Sequence, residues 1–177
     1  HKGVHTAIEA MARLVNKRKM DHITLTLVGS GHPEYEAFLH DLVEREHLHD
    51  HVTFHKPVSK EKMHSIFQQF DVLVFPSIYE EPLARITQEA MAAGLVVVGT
   101  TTGGTKEILR DGETGFTFAP EDADGLAEQV ARLIVDPDLC CRLAQAGRQT
   151  MLENFTLDKM VKEIEAYLVG CFAGSSR

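Results

Sequence analysis

The sequence predicts an α/β domain, a Rossmann-like parallel sheet with helices on both faces, and three observations carry that reading. Short apolar runs recur at residues 23–28, 52–54, 72–75, 95–98 and 115–118, of the kind found in parallel strands covered on both faces. Amphipathic helical stretches alternate with them at intervals of about 20 to 30 residues. Several runs end in Gly-rich or polar turns, and open parallel sheets bind ligands at such carboxyl ends. Fold class alone does not give function.

Residues 4–17 form a helix whose apolar stripe is Val4, Ala7, Ile8, Met11, Leu14 and Val15, suited to packing on a sheet. The strand at 23–28 ends in Gly29-Ser30-Gly31. That turn lets a ligand approach the backbone, or is a plain tight turn; it lacks the third glycine of the dinucleotide fingerprint. Pro33 starts a helix bearing Phe38, Leu42 and Val43. The strand at 52–54 leads through His55-Lys56-Pro57-Val58 to a helix N-capped by Ser59, with Lys62 where a capping box would carry an acid.

The strand at 72–75 is stopped by Pro76, and the next helix opens between Pro82 and Ala84, runs to Ala93 and is closed by Gly94. After the strand at 95–98 come a loop at 99–104, a short helix at 105–109, a turn at Asp111-Gly112 and the strand at 115–118. Helices at 123–135, 137–153 and 157–169 complete the chain, the first two separated by Asp136-Pro137. Leu157, Met160, Val161, Ile164, Tyr167 and Leu168 are read as packing positions, in the core or at an interface with another domain.

The composition narrows the function classes. With 177 residues, 44% hydrophobic and 25% charged, the chain is an ordinary globular one that buries about 70% of its unfolded surface without needing disulfides. A formal charge of −8 argues against a broad nucleic-acid footprint. No apolar run approaches the ~20 residues of a membrane span, and no signal-peptide core is visible. Cys140, Cys141 and Cys171 make an odd count without metal-ligand spacing, which fits a reducing compartment and buried thiols. All ten histidines lie in the first 64 residues, with His47, His49, His51 and His55 bunched. The bunch spans a helix end, a turn and a strand start with no cysteine near, so no metal or cofactor is expected.

The chemistry concentrates at 72–107. Seven residues separate Glu81 from Glu89; with Glu81 at the helix mouth and Glu89 about two turns on, helical periodicity sets the carboxylates within about 80° of one face. They would line one crevice as acceptors for sugar hydroxyls. Free amides of the first turn, at Ala84, Arg85 and Ile86, would with the helix dipole hold an anion such as phosphate.

The run Glu81-Pro-Leu-Ala-Arg-Ile-Thr-Gln-Glu89-Ala-Met-Ala, then Gly94, then Gly103-Gly104 with Glu107, and Asp111-Gly112-Glu-Thr-Gly115 resembles the carboxyl-terminal domain of retaining GT-B glycosyltransferases of family four, the group 1 type. The resemblance extends from Lys2-Gly3 to about Leu168. It implies one half of a GT-B fold and a nucleotide-diphosphate sugar as donor substrate, a UDP-sugar first and GDP- or ADP-sugars as alternatives, with no metal needed for the donor. It also implies that Lys2 contacts the diphosphate, that Gly29, Ser30 and Gly31 lie near the donor, and that the His55-Lys56 loop holds the base through backbone groups.

On this reading Glu81, Lys2 and Arg85 are the candidate catalytic residues. Glu81 accepts from a donor-sugar hydroxyl, as a positioning group and not a covalent nucleophile, while Lys2, Arg85 and the helix-start amides neutralise the diphosphate. Glu89 accepts from the ribose, and Leu83, Ala84 and Ile86 complete the donor loop. The family usually has Phe-Gly where this chain has Leu83-Ala84, and glycine there lets backbone approach the diphosphate closely. Gly103-Gly104 either lie close to the donor sugar or only give their turn its freedom.

The resemblance makes the chain a hexosyltransferase-type domain working with retention in polysaccharide, glycolipid or glycoconjugate biosynthesis. A non-catalytic nucleotide-binding regulatory module and a GT-B phosphorylase or epimerase are the rivals, Ala84 being the argument for the first. Residues 1–172 are expected to be the donor-binding domain, lacking its first strand and the amino-terminal acceptor domain, with 173–177 a tail. The expected partners are that missing domain and a sugar or lipid-linked acceptor, with no nucleic acid and no transmembrane segment. The expected location is cytoplasmic, peripheral to a membrane through the missing domain.

Overall fold

The structure is a computed structural model that describes residues 2–174; His1 and residues 175–177 of the expected tail lie outside them. Helix α1 spans Val4–Ala12 and continues as a π-helical turn at Arg13–Lys17, where the Arg18 N–H donates to the Arg13 carbonyl at 3.1 Å. Gly3 starts α1 in the left-handed region (φ 64°) with no side-chain cap. Instead the Tyr35 hydroxyl of α2 (Pro33–Arg45) accepts from the His5 N–H at 3.2 Å, satisfying one of the donors a helix start leaves bare.

Strand β1 (Leu25–Val28) pairs in parallel with β2 (Val52–His55), with Leu25 opposite Val52 and Val28 opposite His55. Beyond α3 (Lys60–Phe67), strands β3 (Val72–Phe75), β4 (Val96–Gly99) and β5 (Gly115–Thr117) form a second parallel ladder with β4 in the middle. The expected single sheet is thus present as two ladders with helices on both faces. Val96, Val98 and Phe116 pack with α1, α2 and α5 (Ala123–Val135) in one apolar cluster. Val97, pointing the other way as the pleat requires, packs with Phe67, with Ala90 and Met91 of α4 (Arg85–Ala93), and with Met151 of α6 (Pro137–Asn154).

Several boundaries differ from expectation for local reasons. β1 begins at Leu25 instead of residue 23, and β5 stops at Thr117. α4 begins at Arg85 because Ala84 is extended (ψ 112°) and its carbonyl accepts from both the N–H and the Oγ1 of Thr87. The helix expected at 105–109 is a 3-10 turn at Gly103–Glu107, started early by a left-handed Gly103. Ser59 is the N-cap of α3 but makes no cap bond; the Glu61 carboxyl in the first turn is held below its usual range by its own backbone amide and then by Ser59.

α7 (Leu157–Gly174) runs past residue 169 into the expected tail, and every residue from 160 to 171 is exposed. Its apolar side chains are therefore not core of this domain: Leu157 and Tyr167 are 70% and 72% exposed. The thiols are also less covered than expected. Cys141 and Cys171 are exposed, and Cys140 is half-buried, its thiol pushed up first by burial and then by Asp71 and Cys141. Among the described residues no helix is long and apolar enough to cross a membrane.

Two aspartates set the ends of the covering helices. Asp122 Oδ1 accepts from the Gly125 N–H at 2.8 Å to cap α5, and Asp136, which ends α5, caps α6 by accepting from the Leu139 N–H at 2.9 Å. Asp122→Ala is expected to cost about 1 kcal/mol, read as a lowered urea midpoint with an unchanged denaturant slope.

Candidate functional site

The site begins where β3 and β4 end. Their register sets Phe75 beside Gly99, and the Thr100 N–H donates to the Phe75 carbonyl at 3.0 Å. Thr100 Oγ1 then donates to the Ser77 carbonyl at 2.6 Å, and Ser77 Oγ reaches the Tyr79 carbonyl (3.3 Å) and Glu81 Oε1 (3.4 Å). Thr100 and Ser77 are both buried, so the hydroxyls are satisfied inside the loop they shape.

Gly103 and Gly104 hold the same loop from the other side. The Gly104 N–H donates to the Glu81 carbonyl at 2.9 Å. A Cβ on Gly103 would collide with the Glu81 backbone, and one on Gly104 with the Pro82 carbonyl. The left-handed Gly103 (φ 57°) uses the freedom of a glycine in the turn, and both glycines are required as well because two backbones meet directly, which only residues without Cβ permit.

Lys2 is ion-paired to Glu81. Its position follows from Gly3, where a Cβ would collide with the Pro76 carbonyl, so the start of α1 is pressed onto the turn after β3. The Lys2 side chain is 56% exposed and that of Glu81 20%, and such an open pair is worth about 0–1 kcal/mol. Arg85 lies 3.7 Å from Glu89 one turn along α4. Each motif carboxylate is thus already matched to one of the two candidate cations.

Glu81 and Glu89 do not share a helix face, because Glu81 lies in the loop four residues before α4 begins. The start of α4 has no capping side chain and no acid in its first turn, but carries Arg85 there. An uncapped positive helix end with an arginine beside it is arranged for an anion.

A groove opening at these strand ends gathers Lys2, Gly29, Ser30, Gly31, His55, Lys56, Glu81, Ala84, Arg85 and Ile86 along its lining. Leu83 and Glu89 are not part of that lining: Leu83 packs against the second apolar cluster. Ala84 has φ −72°, which any residue adopts, and at 3% exposure belongs to the same cluster. Its backbone conformation does not need glycine. In the Gly-Ser-Gly turn two amides are occupied, Gly29 by the His55 carbonyl (3.0 Å) and Gly31 by Glu36 Oε1 (2.5 Å). Among the described residues no group of three or more His, Cys, Asp or Glu side chains is placed to hold a metal.

Sequence reasoning missed Ser77, Thr100 and Tyr79; Tyr79 lines a smaller hollow of about 450 Å³ with Lys2, Glu81 and Pro82. The available signal was that Ser77 and Thr100 are the first hydroxyls past apolar strands.

Residues 1–150 match the family model described as glycosyl transferases group 1. The chain is 34% identical over 154 residues to glycogen synthase of Mycobacterium tuberculosis, covering 87% of this chain and 36% of that protein. Among solved structures it resembles Anabaena HepE in complex with UDP (TM-score 0.87, 25% identity, 96% of this chain and 45% of that one), a protein also solved with UDP-glucose. It shares the fold of the C-terminal domain of a glycosyl transferase group 1 family protein from Francisella tularensis (TM-score 0.81, 24% identity, 88% of this chain and 80% of that one). The chain spans about a third of the glycogen synthase and under half of HepE.

The meeting of backbones at Glu81 and Gly104 is testable by stability alone. Gly104→Ala is expected to cost about 1–3 kcal/mol, as overpacking does. Gly170→Ala, in α7 with open space around it, is expected to be neutral or stabilising by up to about 1 kcal/mol. Urea unfolding of the two variants beside the parent measures both.

Proposed function

The chain belongs to the glycosyl transferases of group 1, and from that membership we propose that it is the donor-binding part, residues 1–172, of a retaining hexosyltransferase that uses a nucleoside-diphosphate sugar. The observation that carries the proposal is the convergence of Lys2, Glu81 and the uncapped start of α4 on one groove that also takes in the Gly29 and His55-Lys56 turns. The UDP and UDP-glucose complexes of HepE support a UDP-sugar as donor.

In this proposal the diphosphate is held by Lys2, Arg85 and the amides opening α4, where negative charge grows as the bond from the sugar breaks. Stabilising that charge is the largest contribution such a site makes. Glu81 accepts from a sugar hydroxyl, and Glu89 from the ribose. Both carboxylates first exchange their cation partners. Opening the Lys2–Glu81 pair costs about 0–1 kcal/mol, less than the roughly 1.5–3 kcal/mol of one charge-assisted hydrogen bond, so the exchange is favourable.

The acceptor, a sugar or a lipid-linked sugar, and the groups that receive it belong to a further domain. The uncovered apolar face of α7 supports a contact with that domain. The pathway is the building of a polysaccharide, glycolipid or glycoconjugate, at a cytoplasmic site. The rival is a binding module that transfers nothing, argued from Ala84; the extended conformation of Ala84 is one that any residue adopts, which supports the transferase reading over it.

Calorimetry with UDP and UDP-glucose separates the two glutamates. Glu89→Ala is expected to weaken both ligands together, by about 1.5–3 kcal/mol. Glu81→Ala is expected to weaken only UDP-glucose; UDP binding stays equal or tightens by at most about 1 kcal/mol as Lys2 is released. Equal losses of both ligands in Glu81→Ala, or no loss in Glu89→Ala, overturn the assignment.

Donor binding is expected to be indifferent to divalent metal, because the groove's cations are Lys2, Lys56 and Arg85. UDP affinity that collapses with EDTA and returns with manganese contradicts this.

A further inference from the structure

Three carboxylates stand on groups that this site would offer an anion, and one of them is unlike the other two. Glu81 and Glu89 each face a cation, Lys2 and Arg85. Glu36 does not. It is half-buried and lines the groove, and among the described residues it forms no ion pair. Its Oε1 accepts instead from the Gly31 N–H at 2.5 Å.

That bond follows from the local course of the chain. Gly31 stands just before His32, the N-cap of α2, which makes no side-chain cap bond. Pro33 opens the helix and has no N–H of its own to satisfy. Glu36, one turn into the helix, therefore reaches back past the helix start to the last amide of the Gly29-Ser30-Gly31 turn, much as the acid of a capping box does. The positive end of the helix dipole favours a carboxylate there, so no cation is needed to keep it in place.

The turn is thereby made hostile to phosphate. Of its three N–H groups, that of Gly29 donates to the His55 carbonyl and that of Gly31 to Glu36, while that of Ser30 has no acceptor among the described residues. A phosphate entering the turn would displace Glu36 from Gly31 and then lie beside a carboxylate without a cation, in a partly enclosed groove where like charges repel more strongly than in open water. At Lys2 and Arg85 the same phosphate meets cations that it can take over from their carboxylates. A hydroxyl or ring N–H meets the opposite situation at Glu36, whose second oxygen has no partner among the described residues and can accept from it.

We propose that Glu36 decides which way round a nucleotide lies in the groove: the charge of its carboxylate, seated on Gly31, excludes phosphate from the Gly29-Ser30-Gly31 turn and reserves the turn for an uncharged hydrogen-bond donor of the ligand. That the ligand is a nucleotide rests on the donor-binding reading above. The exclusion of phosphate is a property of the turn itself, and inorganic pyrophosphate is enough to test it.

Amide NMR of the 177-residue chain titrated with pyrophosphate provides the test, in the parent, Glu36→Gln and Glu36→Ala. The amides of Ser30 and Gly31 report the turn, and those of Arg85 and Ile86 report the start of α4. In the parent, pyrophosphate is expected to shift the α4 amides and to leave the turn unmoved. Glu36→Gln keeps an acceptor for Gly31 but removes the charge, and Glu36→Ala removes both. In both variants the turn amides are expected to respond at a pyrophosphate concentration at least about tenfold below any response in the parent. The gain is expected to vanish in about 1 M salt, where the screening length is about 3 Å. A parent whose turn responds as readily as α4 overturns the proposal, as do variants whose turn stays unmoved. A response in Glu36→Ala without one in Glu36→Gln also overturns it, because the obstacle is then the occupied amide and not the charge. Silence of the α4 amides in every form counts against the donor-binding reading, while the turn amides still decide the role of Glu36.

Discussion

The parallel register of β3 on β4 governs the rest of the site. With Phe75 opposite Gly99, the two chains leave the sheet side by side, and Thr100 meets the Ser77 carbonyl within two residues of the strand ends. From there the loop can close on Glu81, whose backbone is fixed by contact with Gly103 and Gly104. The same turn, through Pro76, receives the start of α1 and so brings Lys2 to Glu81. A shift of one residue in the ladder would reverse every side chain on β3 and separate all four of these groups.

What the sequence made legible follows from the same physics. Strands covered on both faces appear as apolar runs, and Gly94 closes α4 in the left-handed region as a terminal glycine does. Lys2, Glu81 and Arg85 could be singled out because the motif that resembles the glycosyltransferase family fixes their positions in the sequence. Leu83 is assigned to the donor loop by position alone, because between Glu81 and Arg85 the chain has no period to read; its side chain packs against the core instead. Ser77 and Thr100 escaped notice because their bond joins residues 23 positions apart. Residue type alone reads the thiols as buried, and Cys141 and Cys171 are exposed; of the two readings of the apolar face of α7, its exposure removes the core of this domain.

The pairing of each motif glutamate with a cation changes how the site is to be understood. Here Lys2 shares its ammonium with Glu81 and Arg85 leans on Glu89, both in partly open surroundings where the pairs are weak. In the proposed function the groups are thereby held near the donor at small cost, as preorganisation requires. The uncapped start of α4 adds partial positive charge beside them.

The clustering of Lys2, Lys56 and Arg85 along one groove has a consequence for how ionic strength acts on this protein. The chain carries a formal charge of −8, and in dilute buffer that net field opposes the approach of the diphosphate of the proposed donor. At physiological salt the screening length shrinks to about 8 Å, so an approaching anion no longer feels the distant acids of α5, α6 and α7 but still feels the three cations beside it. Moderate salt is then a help to encounter and only a mild tax on the bound state, the reverse of the usual rule for a polyanion meeting a basic protein.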